Sequence, residues 1–127
     1  MVDPAVPVLV STVLGAPDAQ ALAAFYRELL QWEVVADEPG WAKLQAPGGG
    51  AALSFQTELG YQRPQWPSRA GEQQMMAHLD LQVEDLHVAA ARAAALGAQV
   101  AAFQPQEGVR VCLDPAGHPF CLFLPGW

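Results

Sequence analysis

The stretch AHLDLQVEDLHVAAARAAALG, Ala77 to Gly97, decides the fold, because its pattern occurs twice in the chain. Ala77 to Val83 alternates as a strand does, Asp85 is placed to cap a helix running to Leu96, and Gly97 stops that helix. The same order stands further back. Val6 to Leu14 is alternating and rich in β-branched residues, and Ala16-Pro17-Asp18 supplies a turn and an N-cap. Ala19 to Leu30 then carries Leu22, Phe25, Tyr26, Leu29 and Leu30 at helical spacing. Ser11 lies seven residues before Asp18 and His78 seven before Asp85, while Leu30-Gln31 answers Leu96-Gly97.

Three short strand-like runs follow each helix. In the first half they are Trp32 to Val35, Trp41 to Gln45 and Ala51 to Gln56, broken by Glu38-Pro39-Gly40 and by Pro47 to Gly50. In the second they are Ala98 to Phe103, Val109 to Leu113 and Phe120 to Leu124, with Asp114-Pro115-Ala116-Gly117 as the last hairpin turn. Each half therefore reads βαβββ, an α+β arrangement of two tandem modules. Residues 1–127 are expected to form a single domain, with module one at about 6–57, a linker at about 58–76 and module two at about 77–125.

Hydrophobic residues make up 52% of the chain and charged residues 15%, a composition that leaves apolar surface in need of cover and predicts a homodimer. A net charge of −7, with six scattered Lys and Arg, excludes a phosphate-binding patch for nucleic acid. No apolar run reaches the roughly 20 residues that span a bilayer, and the start MVDPAVPVLV lacks a basic leader region, so a cytoplasmic protein is expected. Cys112 and Cys121 are too few for a disulfide framework. Gly48-Gly49-Gly50 lacks the Gly-Lys-Ser/Thr ending of a phosphate loop and reads as a turn. There is no Gly-x-Ser-x-Gly elbow.

Taken in order, Ala16-Pro17-Asp18 with Phe25-Tyr26-Arg27, His78-Leu79-Asp80-Leu81-Gln82-Val83 before Asp85-Leu86, Leu96-Gly97-Ala98 and Asp114-Pro115-Ala116-Gly117-His118-Pro119-Phe120 resemble the vicinal oxygen chelate superfamily. This group includes glyoxalases, bleomycin resistance proteins and extradiol dioxygenases, and the chain looks like its uncharacterised bacterial glyoxalase-like branch. The resemblance implies a glyoxalase-like incomplete barrel with a central cleft. It also implies four inward metal ligands, usually His and Glu, drawn from the first and last strands of each module and holding a divalent Lewis acid. Those positions fall on Ser11, Gln56, His78 and Cys121, the last strand being entered 45 and 43 residues after Ser11 and His78. Only His78 matches.

One imidazole with a hydroxyl, an amide and a thiol offers little to a hard cation, so no cofactor is expected; zinc on thiolate and imidazole is the alternative. The expected function is small-molecule binding without the usual metal site, with Trp41, Trp66 and Phe120 as stacking surfaces and Arg63 or Arg110 as an anion handle. The alternative is a lyase, isomerase or dioxygenase using an altered metal set around His78. Bland readings stand beside these. His78 equally fits a hydrogen-bonded strand residue, a proline-flanked Trp66 equally pins the linker, and His118 after a tight turn is expected simply to face water.

Overall fold

The computed structural model describes residues 3–126, which fall into two compact units divided between Leu59 and Gly60. The first unit holds β1 (Ser11–Ala16), α1 (Ala19–Leu30), β2 (Glu33–Glu38), β3 (Trp41–Gln45) and β4 (Ala52–Thr57). The second holds β5 (Leu79–Gln82), α2 (Leu86–Leu96), β6 (Gln99–Val100), β7 (Val109–Leu113) and β8 (Pro119–Phe123). The expected α+β class and the tandem βαβββ modules are both present.

Each module is an open four-stranded mixed sheet, ordered β1-β4-β3-β2 in one and β5-β8-β7-β6 in the other. The first and last strands of each module run parallel, and the remaining pairs are antiparallel. A shift of 67 residues takes Asp18 to Asp85, Thr12 to Leu79 and Leu53 to Phe120, and the pairs Thr12↔Leu53 and Leu79↔Phe120 are then the same step of the ladder. The duplication therefore extends to the register of the parallel pairs, while β7 pairs with β8 one residue out of step with β3 and β4.

The helices form where the caps lead one to expect them. Asp18 is extended and accepts from the Ala21 N–H, and Asp85 does the same for Val88. At the far ends Gln31 and Gly97 carry the chain out at positive φ, 57° and 122°. α1 buries Leu22, Ala23, Phe25 and Tyr26 against the sheet face formed by Ala42, Leu44, Leu53 and Phe55, and the Tyr26 and Phe55 rings stack at 5.7 Å. In module two the corresponding face carries Cys112, Phe120 and Leu122, all buried. Because side chains alternate along a strand, burial of Phe120 and Leu122 on the helix face turns Cys121 and Phe123 to the opposite one.

Several strand boundaries differ from expectation: β2 runs on to Glu38 rather than ending at Val35, and β5 begins at Leu79 rather than Ala77. β1 begins at Ser11 rather than Val6, because its partner β4 begins at Ala52; beyond Ser11 the bond from the Ala52 N–H to the Val10 carbonyl continues the pairing by one step. β6 covers two residues rather than running to Phe103. The Gln104 side chain takes over its ladder, accepting from the Val111 N–H at 2.8 Å and donating to the carbonyls of Val111 and Ala101. The segment from Gly60 onward lies in the second compact unit. Among the described residues no helix is long and apolar enough to cross a membrane.

Candidate functional site

The densest set of chemically capable side chains gathers on the β5/β8 pair. His78 immediately precedes β5 and Asp80 lies two residues on, so both project from the face opposite Leu79 and Leu81. Asp80 sits directly across the parallel ladder from Cys121. His78 Nε2 is 3.1 Å from an Asp80 carboxylate oxygen, and one ligand atom from each of the three residues lies within 4.8 Å of the others. Burial first, then the Asp80 charge and the thiol's hydrogen bond to that carboxylate, push the Cys121 thiol pKa up. The thiol is thus held protonated near neutrality, so a free nucleophilic thiolate is not what this arrangement prepares. A pocket of about 230 Å³ opens here, walled by His78, Asp80, Gln106, Val109, Cys121 and Phe123.

Asp80 is one residue the sequence reading missed. Its signal was the spacing His78-x-Asp80 in an alternating strand, which puts an imidazole and a carboxylate on one face.

Module one holds the counterpart of this site in a different chemical form. The 67-residue shift carries His78 back to Ser11, Asp80 to Val13 and Cys121 to Ser54. Ser54, not Gln56, is therefore the partner of Ser11. Both Ser11–Ser54 and His78–Cys121 are 43 residues apart, the equality that would have found Ser54 in the sequence. The two serine hydroxyls are bonded to each other at 2.5 Å, and Ser54 is wholly buried. Gln56 lies two residues further along β4, exposed, donating to Glu58 at 2.7 Å, with Trp41 across the ladder on the same face.

The remaining predicted residues are scattered through module two. Phe120 is fully buried on the helix side of the sheet, so it offers no stacking surface; Phe123, on the other face, does. Arg110 also projects to the helix side, lining a separate hollow with Leu86, Ala90 and Ala94, and donates to the carbonyls of Glu107 and Val109. Arg63 donates to the Pro115 carbonyl, and the Trp66 indole N–H donates to the Phe103 carbonyl with the two rings 6.1 Å apart. Both side chains thus fasten the segment after Gly60 to module two. His118 does not simply face water: it is half-buried, edge-on to Tyr61, with its Nε2 3.2 Å from the Tyr61 hydroxyl. That hydroxyl donates to the Ala116 carbonyl at 2.7 Å. Burial, and then the Asp114 charge, against a smaller opposing effect of Arg63, push the Tyr61 phenol up to about 12.

Two tandem βαβββ modules whose first and last strands pair in parallel in the same register, together with a family-model match over most of the chain, define a protein of the vicinal oxygen chelate superfamily. Within that superfamily, the chain belongs to the glyoxalase-like domain family, which matches residues 11–123. It is similar to a glyoxalase/bleomycin resistance protein/dioxygenase family enzyme from Burkholderia phytofirmans PsJN, at 19% identity and a TM-score of 0.67 over 91% of this chain and 97% of that one. It is similar also to lactoylglutathione lyase from Agrobacterium tumefaciens, at 19% identity and a TM-score of 0.61 over 98% and 100% of the two chains. TnmS3, an antibiotic binding protein from Streptomyces sp. CB03234, matches at 20% identity and a TM-score of 0.58 over 98% and 100%. At such identities the likeness is one of fold. A search of curated proteins found no match.

The superfamily's usual metal set, two ligands from each module, does not fit this donor chemistry. Ser11 and Ser54 bring two neutral hydroxyls already satisfied by each other, where an imidazole or carboxylate is usual.

Proposed function

We propose that this chain is a small-molecule-binding protein of the glyoxalase and bleomycin-resistance kind, operating without the superfamily's four-ligand metal centre. The hydrogen bond between Ser11 and Ser54 carries the reading, since it closes off the two positions from which module one would contribute charged ligands. The pocket beside His78 and Asp80 is smaller than the roughly 300 Å³ at which drug-sized sites begin, so it takes a compact group or one end of a larger compound. Asp80 and the Gln106 amide face it with Val109 and Phe123, a lining suited to an amine or N–H donor attached to an aromatic or apolar body. The net charge of −7 also favours a basic ligand over an anionic one. We place the protein in the cytoplasm, as a homodimer.

The test is calorimetric titration with bleomycin and a panel of aromatic amines. Binding by one class is expected, weakened about tenfold, or 1.4 kcal/mol, in Asp80→Asn. Steady lyase turnover of lactoylglutathione by the purified chain would replace this reading with a catalytic one.

A further inference from the structure

We infer that His78, Asp80 and Cys121 form a three-donor site for a soft divalent cation of the zinc class, contained wholly within module two. The site goes beyond the binding of an organic ligand and does not depend on it. It also differs from the arrangement implied by the superfamily, since Asp80 lies outside that set and module one supplies nothing to it.

The geometry is close to what such a cation needs. Zinc bonds of about 2.0–2.3 Å in a tetrahedral array put neighbouring donors roughly 3.3–3.7 Å apart. His78 Nε2 and the Asp80 carboxylate are already at 3.1 Å, and all three ligand atoms lie within 4.8 Å of one another. The His78 and Asp80 side chains are 39% and 62% exposed, so both are free to turn toward a shared ion, while the parallel pairing of Asp80 with Cys121 fixes the backbone beneath. The charges balance as well. A carboxylate and a thiolate neutralise a dication, the imidazole binds uncharged, and the proton leaving the thiol as the sulfur–metal bond forms passes to solvent. Mixed nitrogen, oxygen and sulfur donors select zinc over magnesium or calcium, which take oxygen. The fourth position faces the pocket and takes water or a ligand atom.

The experiment uses the full chain stripped with a chelator and titrated with zinc against a chromophoric competitor, then with cobalt(II) as a spectroscopic stand-in. One zinc per chain is expected, together with a thiolate-to-cobalt charge-transfer absorption. Cys121→Ser should lose that absorption, and Asp80→Asn should weaken zinc at least about tenfold, whereas Ser11→Ala and Gln56→Ala should leave affinity unchanged. Circular dichroism checks that Cys121→Ser is folded, and Asp80→Asn, which alters an exposed side chain, decides the matter if it is not. The inference is overturned if the wild type takes up no zinc or if the cobalt complex lacks the thiolate band. It is equally overturned if Ser11→Ala weakens zinc as much as Asp80→Asn, which would assign the cation to a set shared by both modules. A chain that binds zinc but none of the organic panel would defeat the binding reading and leave this one standing.

Discussion

At Gly117 the backbone stands at φ +92°, and a β-carbon there would lie 2.5 Å from Cγ of Arg63 and 2.9 Å from its Nε. The glycine is thus needed twice, for the turn between β7 and β8 and for the close passage of the segment that Arg63 and Tyr61 fasten over it. Gly117→Ala should lose about 1–3 kcal/mol of stability in urea unfolding, from left-handed backbone strain and displacement of Arg63. Tyr61 carries a pH signature. An unfolded tyrosine ionises near 10, whereas the folded Tyr61 phenol is held up to about 12, so stability should fall as pH rises through that interval. Tyr61→Phe should flatten the fall, measured as the urea midpoint at pH 9 and pH 11. Neither role was legible in the sequence, because a hydrogen bond to a carbonyl more than 50 residues away leaves no local trace.

The strands and helices were the most legible scale. Asp18 and Asp85 announce their helices by chemistry that acts within three residues, and α1 and β3 keep their expected limits. Asp85→Ala should cost about 1 kcal/mol by removing the acceptor for the Val88 N–H, read as a lowered thermal midpoint. β6 was misread for a physical reason. Ala98 to Phe103 has a strand's composition, yet whether it pairs depends on what meets Val111, and the Gln104 amide occupies that edge. Gln104→Ala should therefore be unusually costly for a polar side chain, about 1–3 kcal/mol, because it leaves the Val111 N–H without its acceptor, while the Val111 carbonyl keeps the bond from the Ala101 N–H. Amide hydrogen exchange at Val111 should accelerate along with the loss of stability.

For the whole molecule, composition and fold point to association. Val8, Leu9 and Val10 are 74%, 76% and 66% exposed in a chain with an apolar excess, and they lead directly into β1, an edge strand. Size-exclusion chromatography with light scattering should return two chains of 13.6 kDa together, and Leu9→Lys should shift the population to the monomer. A wild-type monomer at tens of micromolar would count against this.

The residues alone determined that the chain is a duplicated βαβββ unit, with His78 at the entry to the first strand of the second module and Ser11 at the matching point of the first. Those conclusions rest on alternation, caps and spacing, all of which operate over a few residues or repeat along the chain. Only the tertiary structure decided that Ser54 rather than Gln56 answers Cys121, that Asp80 joins His78, and that Phe120 and Arg110 project to the helix side. Each of these turns on strand register and on which sheet face a helix covers. A strand's sequence specifies two faces but not which of them its partners will bury.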